Sequence, residues 1–199
     1  MLTKQQLKIF GVFKKNLFVE LTFSQIKSQS RQKSNNVTQL AIKEFQRQGL
    51  IQQRKTGDVS TYSLDLSNNL TLAYLNLINE AEIRQKPFEA IKAIREKMPT
   101  EFFILLLFGS QIKGTATKKS DLDIAIIVES EQAKKNTLPV LETIKRREII
   151  KIDYHVFTRK EYLEMLKAEN ENLGKQIYTD NVVYYGYIAY CKLIMRNKR

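Results

Sequence analysis

Residues 102–128 read FFILLLFGSQIKGTATKKSDLDIAIIV, and this stretch decides the fold. It begins with the unbroken apolar run 102–108, which is typical of a strand that is covered on both faces of its sheet. The run stops at glycine and serine, and a polar, basic segment then leads to a second apolar strand at 121–128. Two such strands, so close in sequence, predict the buried centre of a sheet.

Two carboxylates open the second strand. Alternation along a strand places Asp121 and Asp123 on one face, while Leu122 points the opposite way. Two ionised acids at this separation repel each other, and a core strand has no use for them. A divalent cation resolves the conflict, and hard oxygen ligands suit Mg²⁺. The pair therefore predicts a site for one or two magnesium ions.

The turn after the first strand offers a place for a phosphate group. Gly109 lets the backbone approach a ligand closely. Ser110 and the residues after it supply N–H groups and a hydroxyl as donors, at the expected N-terminus of a helix. A phosphate-binding turn and a metal-binding carboxylate pair together predict a site for a nucleotide.

This order of features resembles the nucleotidyltransferase superfamily of DNA polymerase beta, especially its minimal prokaryotic members. The matching residues are 108–110, FGS, and 121–123, DLD, with ten residues between them. Members often carry a basic residue and a glycine after the serine, and Lys113 and Gly114 stand there. The usual basic residue is Arg, so Lys113 keeps the charge but loses the bidentate fork. Ser120 matches the common Ser-Asp-x-Asp form.

The resemblance implies a third carboxylate on a neighbouring strand. The pattern predicts a helix over 131–148 and a strand over 149–157, in which Asp153 is the only acid. Asp121, Asp123 and Asp153 are then the expected catalytic and metal-binding residues. The expected nucleotide-binding residues are Gly109, Ser110, Lys113 and Ser120.

The chemistry implied by the resemblance is metal-dependent nucleotidyl transfer. An acceptor hydroxyl attacks the α-phosphorus of a nucleoside triphosphate, expected to be ATP, and pyrophosphate leaves. The acceptor belongs to a protein or a small molecule, and in antitoxin-type members it belongs to a partner toxin. A nucleic-acid polymerase is disfavoured because the chain has no obvious room for fingers and thumb. The role of His155, the one histidine, stays open.

Residues 1–66 resemble a winged helix-turn-helix domain. A helix after Thr3, a short helix capped by Thr22 or Ser24, and a longer helix capped at Ser34 follow one another. Val37, Leu40, Ala41 and Phe45 give the longer helix an apolar stripe. Two strands, 50–54 and 59–64, form a hairpin with turn residues between them.

The winged-helix resemblance implies an interface with double-stranded DNA. Asn35, Asn36, Thr38, Gln39 and Lys43 are expected on the polar face of the longer helix, where such side chains contact bases and phosphates. Arg54 and Lys55 lie at the expected wing and face the DNA backbone. Winged helices also bind proteins, so a protein partner remains an alternative, and many of them form homodimers.

The predicted fold class is α/β (α+β), with a winged helix-turn-helix followed by a mixed nucleotidyltransferase sheet flanked by helices. The expected boundaries are 1–66 for the first domain, 67–98 for connecting helices with a break at Pro87, and 99–199 for the transferase domain. Helices over 159–170 and 171–179, a strand over 182–186 and a helix to Arg199 are expected to complete it.

Composition sets the remaining expectations. The formal charge of +12 favours polyanionic partners such as nucleotides and nucleic acids. A single cysteine excludes an internal disulfide and points to a reducing compartment. Neither a signal peptide nor a membrane-length apolar run is visible, so a cytoplasmic protein is expected. The competing hypothesis is a DNA-binding regulator whose transferase domain senses a nucleotide or is inactive.

Overall fold

A computed structural model describes residues 1–15, 17–84, 88–117 and 120–197. Pro87 and Arg199, which entered the sequence predictions, lie outside these ranges. The first elements are α1 (Lys4–Phe10), a 3-10 turn (Gly11–Phe13), β1 (Leu21–Thr22), α2 (Phe23–Gln29), α3 (Asn35–Arg47), β2 (Ile51–Thr56) and β3 (Val59–Leu64). The three strands form an antiparallel sheet in the order β1-β3-β2.

Side-chain caps fix where these helices begin. Thr3 and Thr22 each accept a hydrogen bond from the backbone N–H three residues on, and a glutamine side chain closes the reciprocal bond. Ser34 accepts from Val37 N at 3.3 Å at the start of α3. Gly49, with φ of +65°, follows α3 in the left-handed conformation that ends many helices. These predicted caps are confirmed.

The apolar face of α3 differs from the predicted stripe. Ala41 and Phe45 are buried as expected, but Leu40 is 56% exposed and Thr38 is fully buried. The Thr38 hydroxyl donates to Ser34 O at 3.1 Å, so its polar atom is satisfied inside the helix. Placing Thr38 on the DNA-facing side was therefore wrong, because the buried face of α3 consists of Thr38, Ala41, Ile42 and Phe45.

The second group of elements begins with α4 (Asn69–Ile83) and α5 (Glu89–Lys97). The elements after them are β4 (Phe103–Phe108), α6 (Ser110–Lys113), β5 (Leu122–Val128), α7 (Glu131–Lys145), β6 (Ile152–Thr158), α8 (Arg159–Lys167), α9 (Leu173–Thr179), β7 (Asn181–Tyr185) and α10 (Tyr187–Asn197). The strand order is β6-β5-β4-β7. Strands β5 and β6 are parallel and the other pairs are antiparallel, so the predicted mixed sheet is confirmed.

Helices cover both faces of the four-stranded sheet. One face packs on α5 and α7, with a core that includes Leu105, Leu107, Ile124 and Ile126. The other face packs against α8 and α10. Every residue of β4 is buried, which explains its unbroken apolar sequence. In the described ranges, no helix combines the length and apolarity that a bilayer crossing requires.

The chain divides into two compact units, Met1–Ile78 and Asn79–Arg199. The first unit is built around aromatic rings, with Phe10 lying 5.1 Å from Phe45 and 6.3 Å from Tyr74 between centroids. The division falls inside α4, within the segment 67–98 that the sequence analysis treats as connecting helices. The boundaries at 66 and 98 stay a prediction.

Candidate active site

One row of residues crosses the four-stranded sheet and organises the site. Strand register pairs Asp153 with Asp123, Asp123 with Phe108, and Phe108 with Asn181. Paired residues on neighbouring strands project from the same face of a sheet. The carboxylates of Asp123 and Asp153 therefore stand side by side, where β4 ends and where β5 and β6 begin.

Gly109 fits closely over Asp123. Its φ of +73° and ψ of −154° are open to glycine and strained for other residues. A Cβ at this position would lie 2.0 Å from Asp123 Oδ2, which is far inside contact distance. Two independent reasons, conformation and space, thus require glycine after β4. Close approach of the backbone, predicted for a phosphate, is realised here against a carboxylate.

The surroundings of Asp123 disfavour its negatively charged form. Burial raises the pKa of Asp123 above its usual range, and the negative charges of Asp153 and Asp121 raise it further. A hydrogen bond from the Ser110 backbone N–H and the nearby His155 oppose this rise in the pKa. Neighbouring negative charges that raise the pKa of Asp123 in this way also favour a cation beside it.

Asp121 sits just outside β5 and is held by a lysine. Lys151 Nζ donates to Asp121 Oδ2 at 2.6 Å, and the ion pair raises the pKa of Lys151. Asp153 Oδ2 lies 3.7 Å from His155 Nε2. Within the ranges that the structure covers, no three acidic, histidine or cysteine side chains converge to enclose a metal ion. The two strand carboxylates stand in one row, while Asp121 is turned toward Lys151.

A cavity of about 310 Å³ opens beside the two row carboxylates. Its lining combines the row, the glycine turn and one helix face; the residues are Phe108, Gly109, Lys113, Asp123, Asp153, His155, Leu173, Gln176 and Asp180. Lys113 Nζ lies 3.8 Å from Asp180 Oδ2 across this cavity. A lysine, three carboxylates and a glycine turn therefore meet in one concave place.

Asn181 fixes the helix that forms the far wall. Its Nδ2 donates to Ile177 O at 2.8 Å, to Tyr178 O at 3.2 Å and to Tyr190 Oη at 3.1 Å. These bonds satisfy carbonyls at the end of α9, which would otherwise lack partners. Asn181 belongs to the same row as the carboxylates, so it ties the position of α9 to that of the acids.

Ser110 and Ser120 occupy different surroundings. Ser110 begins α6, and its N–H is committed to Asp123. Ser120 Oγ accepts from Thr117 N at 2.8 Å, which folds the connection back just before β5. Lys118 and Lys119, between those two residues, lie outside the described ranges. Both serines thus border the carboxylates, and their contact with a nucleotide stays a prediction.

Sequence reasoning missed four residues of the site, Lys151, Leu173, Gln176 and Asp180. The signal for Lys151 was its place two residues before Asp153, which the parallel register converts into contact with Asp121. The other three could not be assigned from the sequence, because they reach the cavity only through the packing of α9. A distant helix can be placed over a sheet only when the tertiary fold is known.

Of the predicted DNA-binding residues, all except the buried Thr38 are accessible. Exposed side chains on α3 are those of Asn35, Asn36, Gln39 and Lys43, and exposed side chains on β2 are those of Arg54 and Lys55. Arg54 Nη1 lies 4.0 Å from Glu20 Oε1, so its charge is partly compensated. The structure does not test whether these residues bind DNA, and the winged-helix assignment also stays a prediction.

Comparison with known proteins gives one finding, and it concerns the second unit. Residues 89–185 match the sequence model of the family "Polymerase beta, Nucleotidyltransferase". The matched range contains the row carboxylates, the glycine turn and Lys151. No curated protein and no solved structure gives a significant match.

Proposed function

We propose that this chain transfers AMP from ATP to a hydroxyl acceptor. Residues 89–185 form a nucleotidyltransferase domain of the polymerase beta family, which makes the chain a nucleotidyltransferase. The observation that carries this proposal is the pairing of Asp123 with Asp153 under Gly109. The +12 charge of the chain favours a polyanionic substrate.

The chemistry of Asp121, Asp123 and Asp153 fits a magnesium ion, because carboxylate oxygens are the hard ligands that it prefers. Burial raises the pKa of Asp123, the charges of Asp153 and Asp121 raise it further, and a divalent cation would relieve the repulsion among them. These three residues would hold one or two ions. When bound, Mg²⁺ would supply positive charge to the phosphate oxygens of the substrate.

The protein's own groups would position the triphosphate. Gly109 leaves the backbone bare beside Asp123, and the Ser110 hydroxyl stands at the start of α6. Lys113 would turn from Asp180 to the outer phosphates, because its side chain is half exposed and its present ion pair is long, at 3.8 Å. Leu173 and Gln176 line the cavity and would bound the rest of the nucleotide.

The transfer itself is an in-line displacement. The acceptor oxygen forms a bond to the α-phosphorus, and the bond from the α-phosphorus to the oxygen that bridges to the β-phosphate breaks. Pyrophosphate leaves with the electron pair. Asp153, whose side chain is 55% exposed, would take the proton of the acceptor hydroxyl. Catalysis of this kind depends on positioning and electrostatics, so each carboxylate should matter greatly.

The resemblance to minimal family members leaves two classes of acceptor. Such members modify a protein or a small molecule, and we place a protein hydroxyl first, including that of a partner toxin. Supporting this choice, the cavity is small and is lined on one side by a single helix, α9. An acceptor then approaches from outside the cavity and need not be enclosed.

The test is magnesium-dependent transfer of label from α-labelled ATP into lysate proteins and nucleic acids, with the other nucleoside triphosphates in parallel. The control is the Asp121→Ala/Asp123→Ala double variant. Label that appears with the wild type and vanishes with the variant supports the proposal and identifies the acceptor class. Equal labelling by both proteins contradicts it, and processive extension of a primed template would indicate a polymerase.

A second function, binding of double-stranded DNA by Met1–Ile78, is favoured by a specific observation. Six of the seven predicted contact residues, all except the buried Thr38, are exposed on α3 and β2. In a regulator of this kind, the transferase domain would sense the nucleotide without transferring it. Nucleotide binding without label transfer, together with sequence-selective duplex binding, would favour the regulator over the enzyme.

A further inference from the structure

Lys151 and Asp121 stand side by side at the entrance to the site. Each residue immediately precedes its strand, β6 or β5, and these strands are parallel. Leu122 N donates to Lys151 O at 2.8 Å, which aligns the two chain segments. Lys151 Nζ then reaches Asp121 Oδ2 at 2.6 Å. The contact is therefore built into the register of the sheet.

The ion pair competes with any other cation for Asp121. Lys151 engages Oδ2 of Asp121, and the ammonium charge beside that oxygen weakens the attraction of the carboxylate for a second cation. The pair is accessible, since the Lys151 side chain is 76% exposed and that of Asp121 is 27% exposed. Exposed pairs are weak, so this one can open when a stronger cation arrives.

We propose that Lys151 is an internal stand-in for the divalent cation. Its ammonium group compensates Asp121 while the site holds no metal, and it must move away before Asp121 Oδ2 can become a metal ligand. The inference rests on the proposed function, because it takes Asp121 to be a cation ligand. Lys151 acts through Asp121 and is thus a positioning residue.

The ion pair should lower the affinity of the site for a divalent cation. A cation can use Asp121 Oδ2 only in the fraction of molecules in which the pair is open, so the apparent affinity for the cation is reduced by that fraction. Removing the ammonium group should therefore tighten cation binding. It should also leave the carboxylates less compensated, and so destabilise the protein when no cation is present.

Three full-length variants separate these effects. Lys151→Met keeps the length of the side chain and removes its charge, while Lys151→Arg keeps the charge. Lys160→Met is the matched control, because Lys160 is also an exposed lysine near one acid, with Nζ 3.9 Å from Glu164 Oε1. Lys160 lies at the opposite end of β6, roughly 25 Å along the chain from Lys151.

The measurement is Mn²⁺ titration without nucleotide, followed by electron paramagnetic resonance of the free ion. Lys151→Met is expected to bind Mn²⁺ about fivefold more tightly than wild type, as for loss of an exposed ion pair. Lys151→Arg and Lys160→Met should show no gain in affinity. Thermal unfolding should show a lower Tm for metal-free Lys151→Met and a larger rise in Tm with Mn²⁺.

The outcomes distinguish failure of the Lys151 stand-in from failure of the cation site itself. Unchanged or weaker Mn²⁺ binding by Lys151→Met overturns the stand-in and leaves the proposed transferase site intact. A wild type that binds no Mn²⁺, or whose binding survives in Asp121→Ala, overturns the cation site and the stand-in together. Tighter binding in Lys151→Met alone supports both.

Discussion

The two sheets of this protein treat charge in opposite ways. In the three-stranded sheet, β2 is exposed at every residue from Gln52 to Thr56 and carries Arg54 and Lys55. In the four-stranded sheet, β4 is buried at every residue and carries no ionisable group. The first strand is an edge and the second is central, so only the second is shielded from water on all sides.

That difference explains where each kind of function is expected. An exposed strand carries cations at little cost, and it can present them to a polyanion. In the four-stranded sheet the acids stand where β5 and β6 begin, and there burial and the charges of Asp153 and Asp121 raise the pKa of Asp123. The candidate DNA-binding cations Arg54 and Lys55 therefore lie on the exposed hairpin, while the candidate catalytic acids lie at one end of the four-stranded sheet.

The largest expected effect comes from Asp123→Asn. This change keeps the shape of the side chain and removes the central carboxylate of the row, so label transfer should fall by about 10³-fold or more. Steady-state transfer from α-labelled ATP checks it. Activity within tenfold of wild type would remove Asp123 from the catalytic assignment.

The stability of the same variant provides its control. Since the folded-state pKa of Asp123 is raised, wild type loses stability as pH rises from the usual value of 3.8 through that raised pKa. Asparagine has no such loss, so Asp123→Asn should be at least as stable as wild type at pH 7. Denaturant unfolding at pH 7 and pH 3 measures this, and a destabilised variant would show that inactivity comes from misfolding.

The next effect separates space from conformation at two glycines. Gly109→Ala places a Cβ 2.0 Å from Asp123 Oδ2, whereas Gly114→Ala has no atom within 4 Å, and both positions have φ above +70°. Each change should cost about 1–3 kcal/mol of stability through backbone strain. Only Gly109→Ala should also lower transfer, by about 10²-fold, because it displaces Asp123.

Activity and unfolding measured on both glycine variants decide between the two causes. Equal losses of transfer would show that strain in the loop, and not the contact with Asp123, limits the reaction. Full activity in Gly109→Ala would show that Asp123 can move without consequence.

The covered sheet was more predictable from sequence than the site around it. An apolar run, a glycine and a pair of acids at alternating positions specify β4, the turn and β5 through local rules. The third acid, Asp153, could be placed because it is the only acid of its strand. Local rules end there: the cavity wall from α9 depends on how Asn181 ties that helix to the sheet.

In the unit Met1–Ile78, the helix caps were predictable, but the face of α3 that is buried was not. Thr3, Thr22 and Ser34 cap helices because their hydroxyls satisfy nearby N–H groups, which is a local property. Burial of Thr38 in place of Leu40 depends on what α3 packs against. A threonine passes for a polar surface residue until its hydroxyl is seen bonded within the helix.

The exposed hairpin yields the third prediction. Lys55→Ala should weaken duplex binding by about fivefold across all sequences. It should also reduce the slope of log affinity against log salt concentration by about one. Gln39→Ala should instead relax sequence preference. Lys97→Ala, the same loss of charge in the Asn79–Arg199 unit, is the control in fluorescence-anisotropy titrations. Equal weakening by Lys97→Ala would indicate general attraction of charge and no dedicated interface.

The smallest expected effect compares capping boxes in the two units. Thr158 caps α8 in the unit Asn79–Arg199, and Thr22 caps α2 in the unit Met1–Ile78. In each box the threonine backbone N–H donates to the side chain three residues on, which is Glu161 in the first and Gln25 in the second. Glu161 is also bonded to Lys134, at 2.6 Å, and this lowers the pKa of Glu161. Glu161→Gln reproduces the other box and so removes only the charge.

Because the folded-state pKa of Glu161 is depressed, its stabilising charge is fully present above the usual pKa of 4.5 and is lost as pH falls through the depressed value. The side chain is 38% exposed, so screening limits the expected loss in Glu161→Gln to about 0.5 kcal/mol at pH 7. Once the pH is below the depressed pKa of Glu161, the variant and wild type should unfold with the same free energy. A deficit that persists unchanged at that pH would mean that the shape of the carboxylate, and not its charge, holds the start of α8.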